Sequence, residues 1–187
     1  MRGSGQHEPM PRIIALIRGI NVGSTRKLPM AELRTACVEM GLGEVRTYIQ
    51  SGNLVLDHGS TGDVETSLED LIRARFGHDV PVIVRTAARW RALIDTCPFP
   101  EEAESAPKAL HLLVCKKPPA KDAVAGLRKR AQHGEKIAAW GGEIAIHFTN
   151  GAADTKLSPT LIDRLVGSPA TARNWNTVCK LMDMADG

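Results

Sequence analysis

The sequence predicts an α+β protein made of two small subdomains, and three patterns carry that reading. Short apolar runs rich in β-branched residues, such as RIIALI (Arg12 to Ile17) and VPVIVR (Val80 to Arg85), have strand length and are bounded by glycine or proline. Between them lie segments whose apolar residues recur at helical spacing. The order strand, helix, strand, strand, helix, strand fills the first half, and the second half follows as a partial repeat of it.

RIIALI follows Pro11 and reads as a central strand that the glycines of RGINVG (Arg18 to Gly23) break. Pro29 suits a first helical position; Met30, Leu33, Cys37 and Met40 then share one face until Gly41 and Gly43 stop the helix. VRTYIQ (Val45 to Gln50) alternates apolar and polar residues, Ser51 and Gly52 supply turn chemistry, and NLVLD (Asn53 to Asp57) returns as the partner strand. Ser60, three residues before Asp63, opens a second helix with Val64, Leu68, Leu71, Ile72 and Phe76 on one face and Gly77 as its cap. VPVIVR completes a ferredoxin-like βαββαβ unit.

A linking helix carrying Trp90, Leu93 and Ile94 ends before Pro98, and a loop rich in Pro, Glu and Ala runs to Pro107. ALHLLVC (Ala109 to Cys115) is a strand, and a helix spans about Ala120 to Ala131. KIAAW and EIAIHF form a hairpin about Gly141 and Gly142, after which Ser158 and Pro159 start a helix through Leu161, Ile162, Leu165 and Val166. TARNWNTVCKLMDM reads as a closing helix from near Thr171, with Trp175, Val178 and Met182 inward, so the second unit is expected as βαββα. That helix is expected to replace a fourth strand and pack back on the first half, bringing Arg173 and Asn174 towards Arg18 and Ser51. The expected organisation is a leader or disordered tail over 1–10, a ferredoxin-like subdomain over 11–86, a linking helix and loop over 87–107, and an α+β subdomain over 108–187.

Composition narrows the function. A 43% hydrophobic share supports a real core, but aromatic content is only 4% and Tyr48 is the single tyrosine, so base-stacking platforms are scarce. Net charge is +3, short of the clustered basic surface of a dedicated nucleic-acid binder. Cys37, Cys97, Cys115 and Cys179 form no C-x-x-C pair, and no apolar run approaches ~18 residues, which reads as a cytoplasmic chain with reduced thiols, no membrane span, no metal and no cofactor. The basic stretch from Lys116 to Lys136 reads as a solvated helix face.

In the ferredoxin-like topology the end of the first strand and the hairpin after the second share one sheet edge. Arg18, Asn21, Gln50, Ser51 and Asn53 therefore converge, beside glycines at 19, 23 and 52 that let backbone N–H groups approach a ligand. The alternative is that Asn21, Ser51 and Asn53 satisfy turn backbones while Arg18 pairs with a carboxylate. Arg173, placed in a helix first turn where a cation opposes the dipole, reads either as an anion ligand or as half of a structural pair, with Asn174 as a cap or bridge. An anionic small molecule or nucleotide is the partner these residue types fit best. Single-stranded nucleic acid and catalysis are the rival readings, the latter with Arg18 or Arg173 as electrophilic stabiliser and Ser51 as nucleophile. Ser51 lacks a G-x-S-x-G elbow, GSTRK (Gly23 to Lys27) is no Walker loop although Arg26 and Lys27 attract phosphate, and His111 and His147 have no second histidine at ligand spacing.

RGINVG, KLPMAELR (Lys27 to Arg34), TYIQSGNLVL (Thr47 to Leu56) and TARNWNTVCKL (Thr171 to Leu181), in that order, together resemble a bacterial family catalogued as domain of unknown function 1697. The resemblance runs from about Arg12 to about Met184 and implies a shared fold and site position, with no activity attached. Where that family usually carries a glycine-rich lead into Ser-Lys-Leu, this chain reads NGAADTKL, with Thr155 in place of serine.

Overall fold

Alternation along the strands sets the layers. Ile13, Ala15 and Ile17 leave one side of their strand and enter one core, while Ile14 and Leu16 leave the other side and enter a second. The computed structural model describes residues 11–58 and 60–187, so the tail expected over 1–10 lies outside the described residues.

The first half runs β1 (Arg12–Ile17), α1 (Met30–Glu39), β2 (Arg46–Tyr48), β3 (Asn53–Asp57), α2 (Thr61–Phe76) and β4 (Val82–Thr86). Its four strands form one antiparallel sheet in the order β2-β3-β1-β4. After α3 (Ala87–Asp95) and α4 (Pro100–Ser105), the second half runs β5 (Leu110–Cys115), α5 (Ala123–Arg130), β6 (Lys136–Trp140), β7 (Glu143–His147), α6 (Pro159–Val166) and β8 (Ala170–Asn174), with α7 (Trp175–Asp186) closing the chain. Its sheet has the matching order β6-β7-β5-β8. The fold is α+β, with two ferredoxin-like units and a C-terminal helix.

One expectation is overturned. The second unit is a full βαββαβ, because residues 170–174 pair with β5 as an antiparallel strand from Cys115↔Ala170 to His111↔Asn174. Helix α7 therefore begins at Trp175, not near Thr171, and Arg173 lies on a strand with no helix dipole to oppose. The helical periodicity of Trp175, Val178 and Met182 is real, but the segment before it has an alternating burial that belongs to β8. Smaller differences follow the same local competition. Pro29 is the N-cap of α1, Ser60 makes no side-chain cap bond, the second strand shortens to three residues, and part of the linking loop folds as α4 with Pro100 in its first turn.

The two halves share a core. Ile14, Leu16, Val55 and Ile83 from the first sheet meet Leu112, Val114 and Ala145 from the second around Trp90, Trp140, Val178 and Leu181. Helix α7 lies against β1 and β3 on one side and against β5 and β8 on the other. Both fully buried tryptophans satisfy their indole N–H groups there: Trp90 donates to Val178 O at 2.9 Å and Trp140 to Leu93 O at 2.7 Å. Trp175 is half-buried, its ring 5.7 Å from that of Trp140. Arg12 bonds Asp57 at 3.0 Å and the Ala185 carbonyl at 2.8 Å, pinning the end of α7 to the first sheet.

A core shared in this way unfolds as one unit. Leu181→Ala is expected to cost about 2–5 kcal/mol in urea denaturation, and amide-exchange protection in β1 and β5 is expected to fall together. Loss of protection in one sheet alone would contradict the shared core.

Candidate functional site

The edge where β1 ends is built by backbone contacts that only certain residues permit. Ile17 N donates to Gly52 O at 2.7 Å and Arg18 N to Pro81 O at 3.0 Å. Gly52 has φ of 81°, and a Cβ there would lie 2.9 Å from both Ile17 Cβ and Ile20 Cδ1, so glycine is required. The 18–29 loop closes on Asn21, whose Nδ2 donates to Leu28 O at 2.9 Å and to Gln50 O at 2.7 Å while its Oδ1 accepts from Leu28 N at 2.8 Å. That side chain ties the loop to the β2–β3 hairpin. Asn21, Arg26 and Ile49 have φ of 53°, 48° and 49°, the three non-glycine residues in the left-handed region among the described residues, and all sit in these two loops. For a β-branched residue such as Ile49 this is strain.

Arg173 reaches across from β8 into this edge. Its Nε donates to Asn53 Oδ1 at 2.5 Å, Nη2 to Ile17 O at 3.1 Å and Ser51 O at 2.9 Å, and Nη1 to Thr171 Oγ1 at 2.7 Å and Ala172 O at 2.9 Å. All five guanidinium N–H groups are thus engaged by neutral oxygens. The residue is 8% exposed and makes no ion pair among the described residues; burial lowers its pKa to about 10, so it stays charged at neutral pH. Asn53, fully buried, turns its Nδ2 to Tyr48 O at 3.0 Å and Ser51 Oγ at 2.9 Å.

Beside Arg173 a cleft of about 570 Å³ opens between the halves. Arg18, Arg26, Asp163 and Arg173 supply its charged lining, Ser51, Thr160 and Thr171 add hydroxyls, and Val22, Pro81, Pro159 and Ala172 contribute to its apolar walls. Arg18 Nη2 bonds Asp163 Oδ2 on α6 at 2.7 Å. Arg26 is exposed and leans over Gly19, where a Cβ would lie 3.3 Å from its Nη1.

Of the sequence candidates, Arg18, Ser51 and Arg173 come together in the cleft lining. Asn21 and Asn53 spend their amides on the architecture, and exposed Gln50 lies outside the cleft, lining a separate hollow with Asn21 and Lys27. Asn174 is the N-cap of α7, its Oδ1 accepting from Thr177 N at 3.0 Å. Ser51 Oγ accepts from Asn53 and has no histidine or carboxylate partner among the described residues. His147 is buried and His111 half-buried, and burial lowers the pKa of each. No group of three His, Cys, Asp or Glu side chains is disposed to hold a metal among the described residues.

Three residues not expected from sequence, Arg85, Glu143 and Asp163, disclose a pseudo-twofold relation between the halves. Arg85 on β4 donates from Nε to Glu143 at 2.7 Å, from Nη1 to Val84 O at 2.8 Å and from Nη2 to Cys115 O at 2.5 Å. Each partner is the counterpart of one of Arg173's: Glu143 opens β7 as Asn53 opens β3, and Cys115 ends β5 as Ile17 ends β1. The match continues outward. Lys116 N donates to Pro169 O at 2.9 Å as Arg18 N does to Pro81 O. Lys116 also bonds Glu69 of α2, whose Oε1 accepts from Val82 N at 2.9 Å, as Arg18 bonds Asp163, whose Oδ1 accepts from Ala170 N at 3.1 Å. The sequence signal for this is the repeat of PVIVR (Pro81 to Arg85) as PATAR (Pro169 to Arg173).

The fold and site define an internally duplicated α+β protein with an arginine-lined cleft at its seam. The chain belongs to the family described as "Protein of unknown function (DUF1697)", whose model matches residues 10–144. Its fold is that of the conserved bacterial protein SP0830 from Streptococcus pneumoniae, with a TM-score of 0.74 at 22% identity over 94% of this chain and 99% of that one. No curated protein matches it. No helix among the described residues is long and apolar enough to cross a membrane.

The geometry separates two arginines that look alike in sequence. Arg173→Lys leaves Asn53 Oδ1 and two buried carbonyls short of donors and is expected to cost at least about 2 kcal/mol. Arg18→Ala breaks a partly exposed pair and is expected to cost about 1 kcal/mol or less. Urea denaturation of both variants checks the order, which equal losses would contradict.

Proposed function

We propose that this protein binds an anionic small molecule in the cleft between its halves. The observation that carries the reading is Arg173, a desolvated cation surrounded only by neutral acceptors at the cleft wall. A buried charge normally finds an opposite charge, and one left without it projects its potential into the adjoining cavity. Its N–H groups are all used, so Arg173 attracts the ligand through its field rather than by direct bonds. Arg18, Arg26 and Ser51 are the groups placed to touch the ligand.

Asn21, Asn53 and Asn174 act one step away, fixing the loop, the hairpin and the start of α7. The backbone strain at Asn21, Arg26 and Ile49 supports the same location, because strain of this kind gathers where ligands are gripped. We place the protein in the cytoplasm, a reading supported by four free cysteines, two of them buried.

Thermal-shift screening with anionic metabolites and nucleotides tests the proposal. A ligand is expected that raises the melting temperature of the wild type and raises that of Arg18→Ala much less. Equal stabilisation of both proteins by every active compound would contradict the site.

A further inference from the structure

The duplication allows the cleft to be compared with its own counterpart in the same molecule. At the counterpart, Lys116 and Arg85 face Glu65, Glu69 and Glu143, so carboxylates outnumber cations. In the cleft, Arg18, Arg26 and Arg173 face Asp163 alone among the lining residues, which leaves two positive charges uncompensated. Much of that contrast comes from one pair of matched positions. Glu143, with a side chain 2% exposed, neutralises Arg85, whereas Asn53 offers Arg173 an amide oxygen in the same place. The rest comes from the 18–29 loop, which supplies Arg26 and is much longer than the connection between β5 and α5.

We infer that the cleft is selective for a compact dianion, a phosphomonoester or its equivalent in charge, and that Asn53 is the residue that sets this selectivity. The inference rests on the proposed anion site and adds the charge and shape of the ligand. Two uncompensated cations within one cavity favour the second negative charge of a dianion over a monoanion of the same size. No aromatic side chain lines the cleft, so a nucleobase finds no stacking surface, and the grip falls on the charged head. A carboxylate at position 53 would meet Arg173 Nε as Glu143 meets Arg85, cancelling one charge while keeping the guanidinium seated.

The test is calorimetric titration at about pH 8, where a phosphomonoester is fully dianionic. The probes are propyl phosphate, butyrate and adenosine monophosphate, used with wild type, Asn53→Asp and Arg26→Gln. Wild type is expected to bind propyl phosphate at least about tenfold more tightly than butyrate, and adenosine monophosphate no more tightly than propyl phosphate. Each substitution is expected to shrink the phosphate preference to under about threefold by weakening the dianion rather than the monoanion. Arg26 is exposed, so Arg26→Gln keeps the test decisive if Asn53→Asp does not fold. Equal affinity of wild type for propyl phosphate and butyrate, a preference that survives in the folded variants, or markedly tighter adenosine monophosphate overturns the inference while leaving an anion site in place. Failure of the wild type to bind any of the three overturns the proposed anion site as well.

Discussion

Two arginines, Arg173 buried and Arg85 half-buried, each reach from the fourth strand of one half into the other half and hold this structure together. A guanidinium has a rigid planar set of five donors, so seating it fixes the position of every acceptor around it. Arg85 takes Glu143 and the end of β5; Arg173 takes Asn53 and the end of β1. Together they set the register of one sheet against the other, and the shared core of Trp90, Trp140, Val178 and Leu181 fills the space between. The cleft is a consequence of that seating. Its walls are the strand ends and hairpin that Arg173 grips, so the group that positions the two halves also supplies the field inside the cavity.

The two seats differ in electrostatics, although the three bonds of Arg85 each have a counterpart among the five of Arg173. Pairing half-buried Arg85 with buried Glu143 gives a neutral pair suited to structure. Burying one beside Asn53 leaves a charge that the fold tolerates because all of its N–H groups are satisfied. The strained residues cluster on this side, in the 18–29 loop and the β2–β3 hairpin, while the counterpart loop is short and contains no left-handed non-glycine residue.

Much of the fold was legible in sequence because alternating and helical periods report burial directly. RIIALI, NLVLD and EIAIHF lie on the strands expected of them, and Gly77, Gly141 and Gly142 mark real stops and turns. The last strand was hidden. TARN carries a small residue, a polar residue and a buried arginine, which is a poor strand signature by composition, and the strong helical pattern after it drew the boundary four residues too early. The meeting of Arg18 and Ser51 at one edge could be read from topology; Arg173 does reach that edge, but from a fourth strand rather than from the closing helix expected to carry it, and the separate duties of these residues could not be read. Whether an asparagine caps a turn, seats an arginine or faces solvent depends on contacts such as Asn53 with Arg173, which join residues from different halves. Beyond the repeated order of elements, the Pro-x-x-x-Arg match is a residue-level trace of the duplication, and two short matches separated by so long an interval gain meaning only when both arginines are seen in equivalent seats.

The central claim is that one seat carries an uncompensated charge that draws an anion and the other does not. Crystals grown in selenate and measured at the selenium edge test it directly, because the second seat serves as a control within each molecule. The account predicts an anomalous peak in the cleft beside Arg18, Arg26 and Ser51, with none beside Lys116 and Arg85. Peaks of equal height at both seats, or an empty cleft with selenate bound elsewhere on the surface, would contradict it.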